Sequence, residues 1–342
     1  DKVSKRHPVT LEGITADVRS RLFDEPVVKQ EGDFLAFCDG LLVEYEGRGQ
    51  VATFNAYRTA VNKLRAYTRK TTRLNVLPFS ALTPAFVRSF HTHMVKDLGN
   101  ATNTVHKNLT SIRTMVYRAI SDGLMSRNDD PFFGMKIKKE KTMRDRITAD
   151  EFVAIEQVEL IDEGAQHARR EFLFAYYAGG MRYSDVCLFK WLHVLQDGEQ
   201  FRSRFKMKKV AAGAGVVLVP KAVEILRHYG EPAEMAGQDV YVFRALRARN
   251  VIDTPQGRHN AISSATTVAN RNLKKIGKAA GITTKLTTHM ARHSIAKLLD
   301  EQGWPIQDIM KILGHTQVTT TQNYLRGFQS TQLDEGYRDL FG

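Results

Sequence analysis

Cysteine is nearly absent from the chain: Cys38 and Cys187 stand far apart, and neither belongs to a CxxC pair. Nothing in that count supports a disulfide framework or a thiolate metal centre, and a reducing cytoplasm is the expected compartment. Long apolar runs are also missing. No stretch approaches the roughly 18–20 residues of a membrane span, and no signal-peptide pattern opens the sequence, so no membrane partner is expected. Internal repeats and low-complexity tracts are not found. The third scarcity is local: between Val51 and Ile120 there is one acidic residue, Asp97.

Against that single acid stand eleven bases: Arg58, Lys63, Arg65, Arg69, Lys70, Arg73, Arg88, Lys96, Lys107, Arg113 and Arg118. The local surplus is 11 − 1 = +10, most of the +13 carried by all 342 residues. Helices that merely face solvent intersperse both signs, which this stretch does not. Short polar side chains such as Asn55, Thr59, Asn62, Asn103 and Asn108 recur among the bases, and they suit phosphate and base-edge contacts. Nucleic acid is the expected partner, with Arg58, Lys63, Arg65, Arg69, Lys70, Lys107 and Arg113 as candidate contacts.

With 42% hydrophobic and 25% charged residues, the chain is globular, and its length suits two domains. The first half reads as helices. Phe34, Phe37, Leu41 and Leu42 form one apolar stripe; Phe54, Tyr57, Val61, Leu64 and Tyr67 form a second. Thr83-Pro84 opens a third helix, and a fourth runs from about Ala101 to Ile120, stopping near Gly123. Residues 134–146 are dominated by charge and suit a linker lying along a phosphate backbone. Thr148-Ala-Asp-Glu151 then opens a helix with a capping-box pattern. Phe201–Val210 and Val216–Val219 read as a hairpin. The expected fold is mainly α, with a small antiparallel β-hairpin or sheet in the second domain. The expected divisions are a tail at 1–25, a helical DNA-binding domain at 26–133, a basic linker at 134–147, a second domain at 148–327 and a tail helix at 328–342.

Several patterns mislead. His289 and His293 have the spacing of two zinc ligands, but Met290, Ala291 and Arg292 lie between them and the Glu of HExxH is missing. The run from Ala211 to Gly215 lacks the GK[ST] ending of a phosphate loop. Asn100 and Asn108 fit glycosylation sequons that mean nothing in a cytosolic chain. Asp122, Asp129 and Asp130 suit turns better than a metal-dependent nuclease. Neither a metal nor a cofactor is expected.

Four segments of the second domain do combine. GGMRYSDVCLFKW places Arg182 at a helix start with Asp185 one turn on; THMARHSIAKLL places His289 and Arg292 at i,i+3. KILGHTQVTTTQNYL places His315 after a glycine and Tyr324 nine residues later, and FKMKKVAAGAGVVLVP places lysines on a hairpin strand. Two guanidiniums can hold both non-bridging oxygens of a phosphodiester and balance the charge of a pentavalent transition state. A Tyr hydroxyl, with a reference pKa of about 10, becomes a nucleophile in such a positive field. A Lys or imidazole can protonate the departing oxygen.

In these motifs the chain resembles the tyrosine recombinase (phage integrase) family: an Arg in a G-x-R-x-x-E/D context, a hairpin Lys, H-x-x-R, L-G-H, and a Tyr nine residues after that last His. The N-terminal half resembles integrases of Bacteroides-type mobile elements. The resemblance implies a catalytic domain from about Thr148, a core-binding domain before it, and a two-domain DNA clamp. It implies Tyr324 as nucleophile, Arg182 and Arg292 as phosphate clamps, His289 and His315 in proton transfer and hydrogen bonding, and Asp185 in support. It also implies a chain that is monomeric when free and a homotetramer on paired sites, with the tail exchanged between subunits. Departures are Phe189 where the first motif usually closes on Leu, and Ala291 where H-x-L-R has Leu. Lys206, Lys208 and Lys209 compete as the hairpin lysine; Lys209, nearest Pro220, is favoured and Lys208 is next. No arm-binding domain is visible before Thr10 and the first residue is Asp1, which fits either a chain lacking an N-terminal piece or a simpler recombinase. A type IB topoisomerase-like enzyme and a DNA-binding regulator with a decayed site are the alternatives.

Overall fold

The computed structural model describes residues 32–140, 147–204, 216–246 and 253–325, apart from the side chains of Asn323 and Tyr324. Contacts divide the chain into two units, with the division between Lys141 and Thr142.

The first unit holds four helices: α1 (Phe34–Gly47), α2 (Val51–Thr72), α3 (Pro84–Lys96) and α4 (Thr102–Ser121). Asp33 starts α1 and pins the connection between α2 and α3, because its Oδ1 accepts from the backbone N–H of Leu35 (3.0 Å) and of Leu77 (2.8 Å). Thr83 caps α3 by accepting from Phe86 N–H at 3.2 Å, with Pro84 in the first turn. α4 ends where Gly123 takes φ 76° and Leu124 N–H returns to the Ala119 carbonyl at 3.0 Å. Phe34, Val61, Leu64, Phe90, Leu109 and Ile112 are buried in the core between these helices. The first part of the charged stretch after them is held to this unit. Met135 and Ile137 pack on its core, and Glu140 is bonded by Thr102 and Asn103.

The second unit opens with α5 (Ala149–Gln157), started by a complete capping box between Thr148 and Glu151. Its centre is α6 (Glu163–Tyr177), on which α7 (Tyr183–Cys187), α8 (Pro220–Arg227), α10 (Pro255–Ala279) and α11 (Met290–Glu301) pack; the short α9 spans Pro232–Met235. The sheet has three antiparallel strands in the order β1 (Val194–Asp197), β2 (Gln200–Ser203), β3 (Val216–Val217). β2 pairs with β3 through Arg202↔Val217, as the expected hairpin requires, and with β1 through Asp197↔Gln200. β1 was not anticipated. Its turn begins at Asp197-Gly198, with Gly198 at φ 60°. α12 (Ile306–Leu313) and α13 (Val318–Leu325) follow, and with α11 they enclose a separate apolar cluster of Ala296, Leu299, Ile309, Leu313 and Leu325.

Cys38 and Cys187 are both buried free thiols. No helix among the described residues is long and apolar enough to cross a membrane. Asn108 is buried and donates to the Thr104 carbonyl, and Asp122 and Asp130 cap turns.

Candidate functional site

Arg292 organises the second unit's polar centre. It is 2% exposed, in the first turn of α11, and its guanidinium donates through Nη1 to the Gly180 carbonyl at 2.7 Å and through Nη2 to the Leu313 carbonyl. Those carbonyls lie two residues before Arg182 and two residues before His315. One side chain therefore straps together the turn that presents Arg182 and the turn that presents His315. Of the five N–H donors of a guanidinium, these two fix its plane.

Both turns have conformations that their glycines permit. After α6 the chain turns through Gly179 (φ 76°) and Gly180 (φ 73°). A Cβ on Gly180 would meet Ile295 Cγ2 at 2.6 Å and Leu313 Cδ2 at 3.2 Å, so only glycine lets α11 and α12 approach this closely. α12 ends in a Schellman arrangement: Gly314 at φ 60°, its N–H on the Lys311 carbonyl (3.0 Å), and His315 N–H on the Met310 carbonyl (2.9 Å). The Gly before His315 is thus a helix stop that turns the imidazole inward, where the residue is 8% exposed.

Arg182 caps α7, half-buried, with Nη1 4.0 Å from Asp185 Oδ2. Burial, then Arg292, then Arg182 hold the His315 pKa down to about 4, so both guanidiniums act on an imidazole that is neutral at physiological pH. His315 Nδ1 lies 2.9 Å from Thr321 Oγ1 in α13. His289 is exposed immediately before α11, its ring edge-on to His293 at 4.6 Å between centroids. Asn270 of α10 steadies this entry, its Oδ1 accepting from Thr288 N–H at 2.9 Å. Tyr324 belongs to α13, whose neighbouring Leu325 is buried. Lys206, Lys208 and Lys209 lie outside the described residues, as do 1–25 and 328–342. No group of three or more His, Cys, Asp or Glu among the described residues is arranged to hold a metal ion.

The motif reading missed a buried polar chain under α7. Tyr183, next to Arg182, donates to Glu171 at 2.8 Å; Glu171 faces His167 at 3.1 Å, and His167 Nδ1 meets the Tyr229 hydroxyl at 2.7 Å. Burial, then the Glu171 charge, push the Tyr183 hydroxyl's pKa far up, so it stays a donor. Glu171 and His167 stand at i,i+4 in α6, which the sequence shows; their partners come from other elements, which it does not.

In the first unit the candidate DNA contacts lie on two faces of α2 and on α4. Arg58 and Arg65 are each held by an asparagine one turn earlier, Asn55 at 2.9 Å and Asn62 at 3.2 Å, and the exposed Arg69 continues that row. Arg65 also binds Asp39 at 2.6 Å. On the other face Lys63 donates to Asn100 at 2.6 Å and Lys70 to Asp97 at 2.8 Å. Lys107 is exposed and Arg113 half-buried on α4.

Residues 145–330 match the phage integrase family, and residues 33–138 match the phage integrase SAM-like domain. The tyrosine recombinase XerD of Oceanobacillus iheyensis is 24% identical over 234 residues, covering 68% of this chain and 74% of that protein. XerC of Xylella fastidiosa is 27% identical over 299 residues, covering 85% and 90%. A lambda integrase dimer bound to a COC' core site shares the fold, with TM-score 0.61 and 18% identity over 92% of this chain and 85% of that one.

Proposed function

Since the chain belongs to the phage integrase family, we propose that it is a site-specific DNA recombinase that exchanges strands through a covalent 3′-phosphotyrosyl intermediate. The observation that carries this reading is the strap made by Arg292, which gathers the Arg182 and His315 turns around one positively charged centre. Tyr324 Oη attacks the scissile phosphorus; the P–O bond to the 5′ carbon's oxygen breaks and that oxygen leaves as a hydroxyl. Arg182 and Arg292 bind the non-bridging oxygens and offset the extra charge of the transition state, as a metal ion would. His315 and His289 hydrogen-bond the phosphate or move its protons, Lys209 or Lys208 protonates the leaving oxygen, and Asp185 orients Arg182. A 5′-hydroxyl from a partner strand reverses the step. One phosphoester replaces another throughout, so no nucleotide cofactor is needed.

The two units would close around double-stranded DNA as a clamp, with the basic helices of the first on the backbone. Four subunits would assemble on paired sites through residues 328–342, in a bacterial cytoplasm. The Bacteroides-type mobile-element assignment rests on the N-terminal resemblance and is tested by sequencing the DNA that flanks the gene. The reaction itself is tested with a suicide substrate nicked beside the cleavage site. Tyr324→Phe should bind that DNA with unchanged affinity and form no adduct. A covalent complex from Tyr324→Phe would overturn the nucleophile assignment.

A further inference from the structure

One partner of His315 is Thr321, which lies within the KILGHTQVTTTQNYL segment but is not among the residues that define its motif. Thr321 is fully buried on α13, with Leu325 four residues on in the apolar cluster and Tyr324 three residues on in the same helix. Its Oγ1 lies 2.9 Å from His315 Nδ1. A buried hydroxyl is stabilised when its proton finds an acceptor. Several helical threonines elsewhere in the chain donate to the carbonyl four residues back, as Thr59 does to Asn55, Thr72 to Thr68 and Thr266 to Ile262, whereas the buried hydroxyls of Thr68 and Thr110 pair with nothing among the described residues. Thr321, among the described residues, is paired with the imidazole instead. Were Oγ1 to accept from an Nδ1–H, its own proton would be sealed away without an acceptor, a costly state for a buried donor. The hydroxyl therefore donates to Nδ1, and the imidazole proton resides on Nε2.

We infer that Thr321 is a positioning residue for strand cleavage: its hydroxyl locks His315 as the Nε2–H tautomer, a neutral donor for a non-bridging phosphate oxygen, and does so only while the helix bearing Tyr324 is docked. This rests on the recombinase reading. The depressed pKa of His315 agrees with it, since a neutral imidazole is the form in which a tautomer matters. The lock also couples two events. Withdrawal of α13 would remove the nucleophile and release the phosphate donor together, so that a half-assembled site lacks both.

Two substitutions in the full chain separate this role from packing. Thr321→Val keeps the shape and removes the O–H; Thr321→Ser keeps the O–H. Imidazole nitrogen NMR on the free protein at pH 7 should show the Nε2–H form of His315 in wild type and Thr321→Ser, and lose it in Thr321→Val. Single-turnover cleavage of the nicked substrate should fall about 10- to 100-fold in Thr321→Val, with DNA affinity unchanged, and recover in Thr321→Ser. A wild-type His315 protonated on Nδ1, an unaltered tautomer in Thr321→Val, or equal defects in both variants would overturn the inference. A wild type that shows the Nε2–H tautomer yet never forms the Tyr324 adduct would instead overturn the recombinase reading, and with it the role assigned to Thr321 in cleavage.

Discussion

Arg182 and Arg292 carry the same functional group in different settings. Arg292 is a structural strap as well as a cation, because two backbone carbonyls depend on it; Arg182 is half-buried and faces Asp185. His315, between them in electrostatic terms, has its pKa held below that of an unfolded-chain histidine. The unfolded chain therefore takes up the proton first as pH falls. The stability that His315 contributes is complete above about pH 6.5 and is lost between there and about pH 4. The difference in unfolding free energy between wild type and His315→Gln should shift by about 2–3 kcal/mol against wild type over that window, read by denaturant titration at each pH. At this scale the sequence revealed residue types and spacings. Arg182, His289, Arg292, His315 and Tyr324 stand out because motif distances are one-dimensional. Thr321 and Glu171 do not, because what distinguishes each is a partner across a tertiary contact.

Among the elements, the Gly179–Gly180 turn is the most constrained. Gly180→Ala would place a methyl group in a left-handed backbone and against Ile295, at a cost of about 2–4 kcal/mol. Thermal unfolding should show it, whereas Gly198→Ala, whose Cβ would meet nothing within 4 Å, should cost about 1 kcal/mol. On α2 the Asn55–Arg58 and Asn62–Arg65 pairs hold guanidiniums in place before any ligand arrives. Combined replacement of Arg58, Arg65 and Arg69 by Ala should flatten the slope of log affinity for DNA against log salt by about 3, one for each phosphate left without its arginine. An unchanged slope would move the DNA surface off this row. Helix starts were readable because caps are local: Thr83-Pro84 and Thr148 with Glu151 declare themselves within four residues. β1 was overlooked although Asp197-Gly198 is a strong hairpin signal, since Val194–Asp197 offers only two apolar residues before it.

Among the described residues each unit has its own apolar core, the second with the smaller cluster around Leu313 besides, so burial does not force the halves to fold together. Residues 148–342 alone should unfold cooperatively and keep their helical circular dichroism. They should bind DNA more weakly and with a shallower salt dependence than the full chain, because the +10 stretch is gone. An undiminished salt slope in that fragment would show that the first unit does not touch DNA. The lopsided charge was visible without a structure, as long-range electrostatics follow composition. The fastening of 135–140 to the first unit was not, because Met135, Ile137 and Glu140 look like parts of a charged linker until Thr102 and Asn103 are seen beside them.

Arg292 grips peptide groups and not side chains. The carbonyls of Gly180 and Leu313 would be present whatever residues stood there, so the strap itself places no demand on the chemistry of its anchor points. Mutational tolerance around the site should therefore be uneven. Leu313 needs only to remain apolar enough for its cluster, while Gly180 is fixed by space and backbone angle. A centre built this way can drift in its surrounding sequence while the guanidinium, the two turns and the charge they enclose stay in register.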